Sequence, residues 1–356
     1  MAVHFDRSRM QQVRETHDSW FEGRLDRPLL SITLYDAYPS DKPFENPITQ
    51  ENCGDFTRSP EEVIEILDRQ LSTCEFIGDG FPSVDFTGFG PGVLTAFCGG
   101  KADNSTGRVW FFPPDGNDEK PISEIHAEYN PAHPWAERIK AIYKAGIERW
   151  DGSVMMGMPD LGGVLDVTAS LIGSERLLCA LIDEPDEVFR LIDEIESAWY
   201  AAYNDFAEVL SPQEGYTDWS GLLSSVPSYI LQCDFSYMIS PKMFSEFVLP
   251  TLKRDTEKLG HTIYHLDGVG QLPHLDYILS LEKLRAVQWV YGAGKPSGDH
   301  WIDVYRKIIE SGKCIMLIDG FSEFFSILNT LHGSPYARFW FSANDRKAAE
   351  QLLNAR

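Results

Sequence analysis

The sequence lacks any apolar run of the roughly 18 residues that a membrane-crossing helix needs. Its first residues, "MAVHFDRSRMQQVRETHDSWFEG", lack the apolar centre of a secretory signal and read as an amphipathic helix. Positive charge is scarce: 31 Lys and Arg stand against 54 Asp and Glu, a formal net charge of −23. Such a surface repels phosphate backbones and anionic lipid, so neither nucleic acid nor a membrane is an expected partner. The six cysteines, Cys53, Cys74, Cys98, Cys179, Cys233 and Cys314, are scattered and form no CxxC pair. They read as reduced thiols of a cytoplasmic protein. No GxGxxG follows the first strand. "GFGPGVL" has a proline inside and "GAGKPSG" lacks the spacing, so neither reads as a phosphate cradle.

What is present is a large apolar inventory in a regular rhythm. Hydrophobic residues make up 43% of 356 residues and aromatic residues 12%, enough for a sizeable core. In the first third, "PLLSITLY" reads as a strand and "SPEEVIEILDRQLSTCEFIG" as a helix with Ser59 as N-cap and Pro60 in its first turn. "TGRVWFFPP" reads as a strand of an inserted hairpin. From His133 onward helices and short strands alternate: "SVMMGMPD", "EGYTDWSGL", "SYILQCDFS", "HTIYHLDG", "LRAVQWVYGAG", "KCIMLIDG" and "ARFWFSA" are the strands. Alternation of this kind implies right-handed βαβ units and a parallel sheet. Strands apolar on both faces fit a sheet covered by helices outside and filled inside. The fold class expected is α/β, a (β/α)8 TIM barrel with an N-terminal elaboration. The whole chain, 1–356, is one domain, with 1–74 as the elaboration and 75–356 as the barrel. A doubly wound open sheet is the alternative.

In a barrel, chemistry gathers at the C-terminal ends of the strands. The polar residues there are Asp85, Asp160, Asp218 with Trp219, Cys233 with Asp234, His265 with Asp267, Gln288 with Trp289, and Asp319. A single aspartate at such a junction often only caps the next helix. A converging set of them raises each other's pKa or binds a cation.

Within "TIYHLDGVG", His265 and Asp267 share one face if the strand runs that far. The pair can hold a divalent metal, or the carboxylate can orient the imidazole for proton transfer. The other reading is a core-edge histidine bonded to backbone, with Asp267 in a turn at Gly268. A second copy, His274-Leu275-Asp276, lies in a helical stretch, where i and i+2 do not face each other, and reads as structural. Of Cys233 and Asp234, a regular strand turns only one towards the site.

Two longer stretches resemble the uroporphyrinogen decarboxylase-like superfamily. "GGVLDVTASLIGSERLLCALIDEPDEVFRLIDEI" is similar to its helix pair. "ISPKMFSEFVLPTLKRDTEKLGHTIYHLDG" resembles its SP, phenylalanine-rich helix, proline, and strand ending in His and Gly. The resemblance runs from about His133 to the C-terminus and implies the same barrel. It also implies one of two chemistries. The decarboxylases of the superfamily need no cofactor and carry an N-terminal RQAGRY-like motif, whereas here "RLDRPLLSITLY" occupies that region. The corrinoid-linked methyltransferases use zinc held by a His-x-Cys on this strand and a later cysteine. His265 matches the histidine, Asp267 stands in place of the first thiol, and Ser342 stands near the second. The resemblance then implies a harder site of oxygen and nitrogen ligands.

The expectation is a methyltransferase that moves a methyl group between a small substrate and a corrinoid on a separate protein, since no DxHxxG corrinoid motif occurs here. Zinc or another divalent metal would assist, held by His265, Asp267 and Cys233. His265, Asp267 and Asp234 are the catalytic candidates. Asp85, Tyr216, Trp219, Trp289 and Asp319 are the substrate-binding candidates. A homodimer is the expected form of any self-association. The alternatives are a cofactor-free decarboxylase of a porphyrin-like or smaller acid, and a barrel that binds a ligand without turning it over.

Overall fold

The computed structural model describes residues 3–40, 45–117, 119–317 and 321–355. The strands, in chain order, are β1 (Leu29–Leu34), β2 (Glu75–Gly78), β3 (Ser83–Val84), β4 (Lys101–Asp103), β5 (Trp110–Phe112), β6 (Met155–Met156) and β7 (Tyr216–Thr217). They continue as β8 (Leu223–Ser224), β9 (Ser228–Gln232), β10 (His261–Asp267), β11 (Ala286–Val290), β12 (Cys314–Leu317) and β13 (Ala337–Ala343). Seven form one sheet in the order β2-β1-β13-β12-β11-β10-β9. All its ladders are parallel except β1–β2. β3 and β6 pair in parallel with each other, while β4–β5 and β7–β8 are small antiparallel hairpins.

The molecule is therefore α/β with a mostly parallel central sheet. The long ladder ends at β2 on one side and β9 on the other. The stretch Glu75–Gly78, read from sequence as the tail of a helix, is instead the antiparallel edge strand. The helix before it, Pro60–Leu71, has a complete capping box between Ser59 and Glu62 and stops at Ser72. β1, counted from sequence with the N-terminal elaboration, lies inside the sheet between β2 and β13. Among the described residues, no helix is long and apolar enough to cross a membrane.

Strand alternation divides the core in two. Tyr264, Leu266, Val287, Trp289, Ile315, Leu317 and Phe339 meet one set of helices, through residues such as Phe244, Tyr305, Ile308 and Phe324. The other face carries Leu29, Ile230, Ile263, Ala286, Cys314 and Met316, closed off by Trp20 and Phe21. Those two aromatics end the helix Arg7–Phe21, whose buried Met10, Val13, His17 and Trp20 follow helical spacing. The Cys314 thiol donates to the Trp20 carbonyl at 3.1 Å and fastens that helix beneath the sheet. Each fully buried side chain of this size contributes roughly 1.5–3 kcal/mol. The second face is thus sealed at its base, where His261 stacks on Phe21, and the C-terminal ends of β10 and β11 carry His265, Asp267 and Gln288.

Candidate active site

β10 stays extended to Asp267, so His261, Ile263, His265 and Asp267 share one face. The chain then turns at Gly268, whose φ of 83° is costly for any residue with a Cβ. The Gly268 N–H donates to the Val290 carbonyl at 2.7 Å and pins the turn to β11. In register, His265 lies beside Gln232 of β9 and Gln288 of β11. Asp234 begins a short 3-10 turn directly after β9. That turn is held by Asp166, whose carboxylate accepts the N–H groups of Asp234 and Phe235 at 3.0 and 2.7 Å. Asp166 reaches it because Gly163 lets the chain approach β9: a Cβ there would stand 2.1 Å from the Gln232 carbonyl oxygen.

The outcome is a compact trio. One ligand atom each from Asp234, His265 and Asp267 all lie within 4.8 Å of one another. His265 Nε2 is 3.9 Å from Asp267 Oδ2, too far for a hydrogen bond. His265 Nδ1 is hydrogen-bonded to Gln288 Oε1, an acceptor, so the proton is assigned to Nδ1. That leaves the Nε2 lone pair on the side of Asp267. Gln288 is fixed in turn by its amide, which points at the Met316 sulfur at 3.7 Å.

The surroundings are acidic. Burial pushes Asp160 up to about 7, and the charges of Asp234 and Asp218 add to the shift. Asp160 is held by the Gln232 amide at 3.0 Å. Asp166 is raised as well, first by burial and then by Asp234. Asp234 is itself raised, because protein crowds its carboxyl and Asp267 repels it, although His265 opposes the shift. Carboxylates so arranged repel one another and favour a cation between them.

Of the residues named from sequence, the structure brings together Asp234, His265 and Asp267. Cys233 as a metal ligand is corrected. Its side chain is buried in the helix-covered core, away from the trio, and burial raises its thiol above the ordinary range. The physical reason is that Gln232, the last residue of β9, lies beside His265, so Cys233 turns to the opposite side, and the 3-10 turn held by Asp166 presents Asp234. Trp289 as a wall of the site is corrected for the same reason: Gln288 faces inward, so Trp289 points to the helices and meets Trp301 edge-on at 5.3 Å. Ser342 is exposed on β13 and is not part of the trio.

Beside the trio lies a cavity of about 580 Å³. Asp85 and Trp219 line it, and Tyr216 does not. Tyr216 packs half-buried against the core, and Asp319 lies outside the described residues. The trio is not in the cavity lining either. The link between them is Trp219, which lines the cavity and meets the His265 ring edge-on at 5.1 Å. Sequence reasoning missed Asp166.

No protein-family model matches the sequence, and no curated protein matches it significantly. Among solved structures, the chain is similar to one described as a methyltransferase from Methanosarcina mazei. The two align with a TM-score of 0.59 at 11% identity, over 96% of this chain and 97% of that one. At that identity the likeness is one of fold.

Proposed function

We propose that the chain is a methyltransferase of the uroporphyrinogen decarboxylase-like kind. Its strands β1, β3, β6, β9, β10, β11, β12 and β13 would be the eight of the barrel, with the trio in its mouth. It would move a methyl group between a small substrate and a corrinoid carried by a separate protein. The observation that carries the reading is the convergence of Asp234, His265 and Asp267 at the ends of two adjacent strands. The extent of the likeness to the Methanosarcina mazei methyltransferase supports it at the level of fold.

The donor set fits a divalent cation. Two carboxylates and an imidazole form a hard to borderline set, suited to zinc, manganese or iron(II) more than to a metal that needs thiolates. Gln288 orients the imidazole through Nδ1, as a second layer of contacts does at metal sites generally. Asp234, His265 and Asp267 would hold the ion. A bound cation would supply Lewis-acid polarisation of a substrate heteroatom. The protein's part is to position and to exclude water. Trp219 closes one side of His265, and Asp166 fixes the turn that presents Asp234. The substrate would reach the trio from the cavity past Trp219.

The test is in two parts. Chelator-treated protein is dialysed against Zn2+ and Mn2+, and the bound metal is counted for wild type and for Asp267→Ala. Methyl transfer from methylcobalamin to small thiols, alcohols and carboxylic acids is then followed by the cobalamin absorbance. Stoichiometric metal that disappears in Asp267→Ala, together with demethylation of the cobalamin, is the expected result. No metal binding and no change in the cobalamin spectrum with any acceptor would overturn the reading. Uroporphyrinogen is expected to remain unconverted, because the arginine-bearing N-terminal motif of the decarboxylases is absent. Its turnover would favour the carboxy-lyase alternative.

A further inference from the structure

The lining of the cavity beside the trio carries three charged residues, Asp85, Arg108 and Asp218. Asp218 is already satisfied. Its Oδ1 accepts the Ser220 N–H at 2.8 Å and its Oδ2 the Ile230 N–H at 2.9 Å, and the charge of Arg338, which is not in the lining, opposes its own. Asp85 is half satisfied. Its Oδ1 accepts the N–H and the hydroxyl of Thr87 at 3.1 and 2.6 Å, and its Oδ2 has no hydrogen bond among the described residues. The Arg108 side chain has neither a hydrogen bond nor an ion pair among the described residues. One accessible positive charge and one accessible negative charge therefore border the same chamber, and they do not pair with each other.

The fold holds both charges in place. Arg108 lies between β4 and β5. The residue after it, Val109, donates its N–H to Gln50 Oε1 at 3.0 Å, and the Asn104 amide donates to the Glu51 carbonyl at 2.8 Å, so the hairpin is fastened to the loop that carries Gln50. Val109 is also buried against Gly90, where a Cβ would stand 2.6 Å from its own. In the same loop Ile48 packs on Gly88, where a Cβ would stand 2.9 Å from Ile48 Cγ2. Gly88 follows Thr87, the residue that fixes Asp85. One continuous set of contacts thus ties the arginine to the aspartate, and Ile48, Gln50, Thr87 and Gly88 all line the cavity with them. Elsewhere the lining is aromatic, with Phe76, Phe81, Trp219 and Trp340.

We propose that this cavity binds a small zwitterion, an ammonium and a carboxylate on an apolar body, with Arg108 taking the carboxylate and Asp85 the ammonium. The proposal names the substrate class for the mouth read above as a methyl-transfer site, and it rests on that reading. A ligand with both charges answers both side chains at once. A simple anion would meet Asp85 and the field of a protein with a net charge of −23, and a simple cation would meet Arg108. The aromatic residues take the apolar body. Trp219 belongs to that wall and also meets the His265 ring edge-on, so the apolar end is the one that approaches the trio. The volume of about 580 Å³ accommodates a molecule of that size.

The experiment is calorimetric titration of the wild-type protein with L-phenylalanine and with 4-(aminomethyl)benzoate, which carry the two charges close together and far apart. Each is compared with its two singly charged analogues, one lacking the ammonium and one lacking the carboxylate. At least one zwitterion is expected to bind saturably, and both of its analogues about tenfold or more weakly, since a hydrogen bond to a charged group contributes about that ratio. Arg108→Gln should bring the zwitterion down to the level of the amine analogue. Asp85→Asn, which keeps an acceptor for Thr87, should bring it down to the level of the acid analogue. Both residues are exposed, so both variants should fold, and their melting temperatures check this. No binding of either zwitterion, analogues that bind as well as the zwitterion, or unchanged affinity in both variants would each overturn the proposal. His265→Ala separates the two readings: it should lose cation binding and keep zwitterion binding. Absence of cation binding in every form of the protein would sink the methyl-transfer site, while the zwitterion site stands or falls by its own titration.

Discussion

The same three residues occur twice in this chain, and the protein uses them in opposite ways. His265-Leu266-Asp267 ends β10, where alternation turns histidine and aspartate to one face and the leucine into the core. His274-Leu275-Asp276 sits where a 3-10 turn passes into the helix Leu275–Leu279. There the histidine goes inward: it bonds the Ser236 carbonyl at 2.8 Å and stacks on Phe244 at 4.5 Å. The aspartate goes outward to an exposed pair with Lys307 at 2.6 Å. Residues two apart diverge on a helix and converge on a strand. What a short motif can do is therefore set by the period of the backbone that carries it. The second copy also serves the first, since Ser236 belongs to the turn that presents Asp234.

Substitutions can break this contrast or sharpen it. The largest effect is expected from His265→Ala, which should lower cation affinity by on the order of 100-fold or more, measured by dialysis against Zn2+, with little change in melting temperature. A clear loss of stability with unchanged metal content would make the two copies alike and end the contrast. Next is Gln288→Leu, which leaves the imidazole in place but removes the acceptor that fixes its tautomer. Affinity should fall by about 10–100-fold, with His265 keeping its place by NMR.

His274→Ala should behave in the reverse manner. It strands the Ser236 carbonyl and opens a gap beside Phe244, costing about 1–3 kcal/mol in urea unfolding. Burial lowers the His274 pKa below its ordinary value. Between the folded and unfolded pKa values the unfolded chain binds the extra proton, so this imidazole's contribution is present above about 6.5 and fades as pH falls. The penalty of His274→Ala should shrink on acidification in step. A penalty that grew instead would mean the imidazole is charged in the folded state. The smallest effect is expected from Asp276→Ala, within about 0.5 kcal/mol, because an exposed ion pair is weak. Asp267→Ala, measured beside it, should leave stability as little changed and abolish cation binding.

Much of this was legible before the structure. The helix Pro60–Leu71 could be read from Ser59, Pro60 and Glu62, because caps and first-turn residues act locally. The parallel sheet followed from alternating helices and doubly apolar strands. His265 and Asp267 could be placed on one face by counting in twos. Other features were not legible, and the reasons are physical. Glu75–Gly78 has no strong local preference, and only the free edge of β1 makes it a strand. Cys233 and Asp234 are adjacent, and nothing local says that β9 ends at Gln232 and passes into a turn that presents Asp234. Trp289 looked like a pocket wall because it is large, whereas the register of β11 against β10 and β12 sends it to the helices.

The sequence by itself determined most element types, the burial of both sheet faces, and the pairing of an imidazole with a carboxylate at a strand end. These are properties of periods of two and of about 3.6, written within a few residues of each other. Only the tertiary structure decided which distant groups meet. It brought Asp234 to His265 across the β9–β10 ladder, and set Asp166 behind them through the close approach at Gly163. Those contacts join residues far apart in the chain, through ladder register and packing that no local stretch encodes.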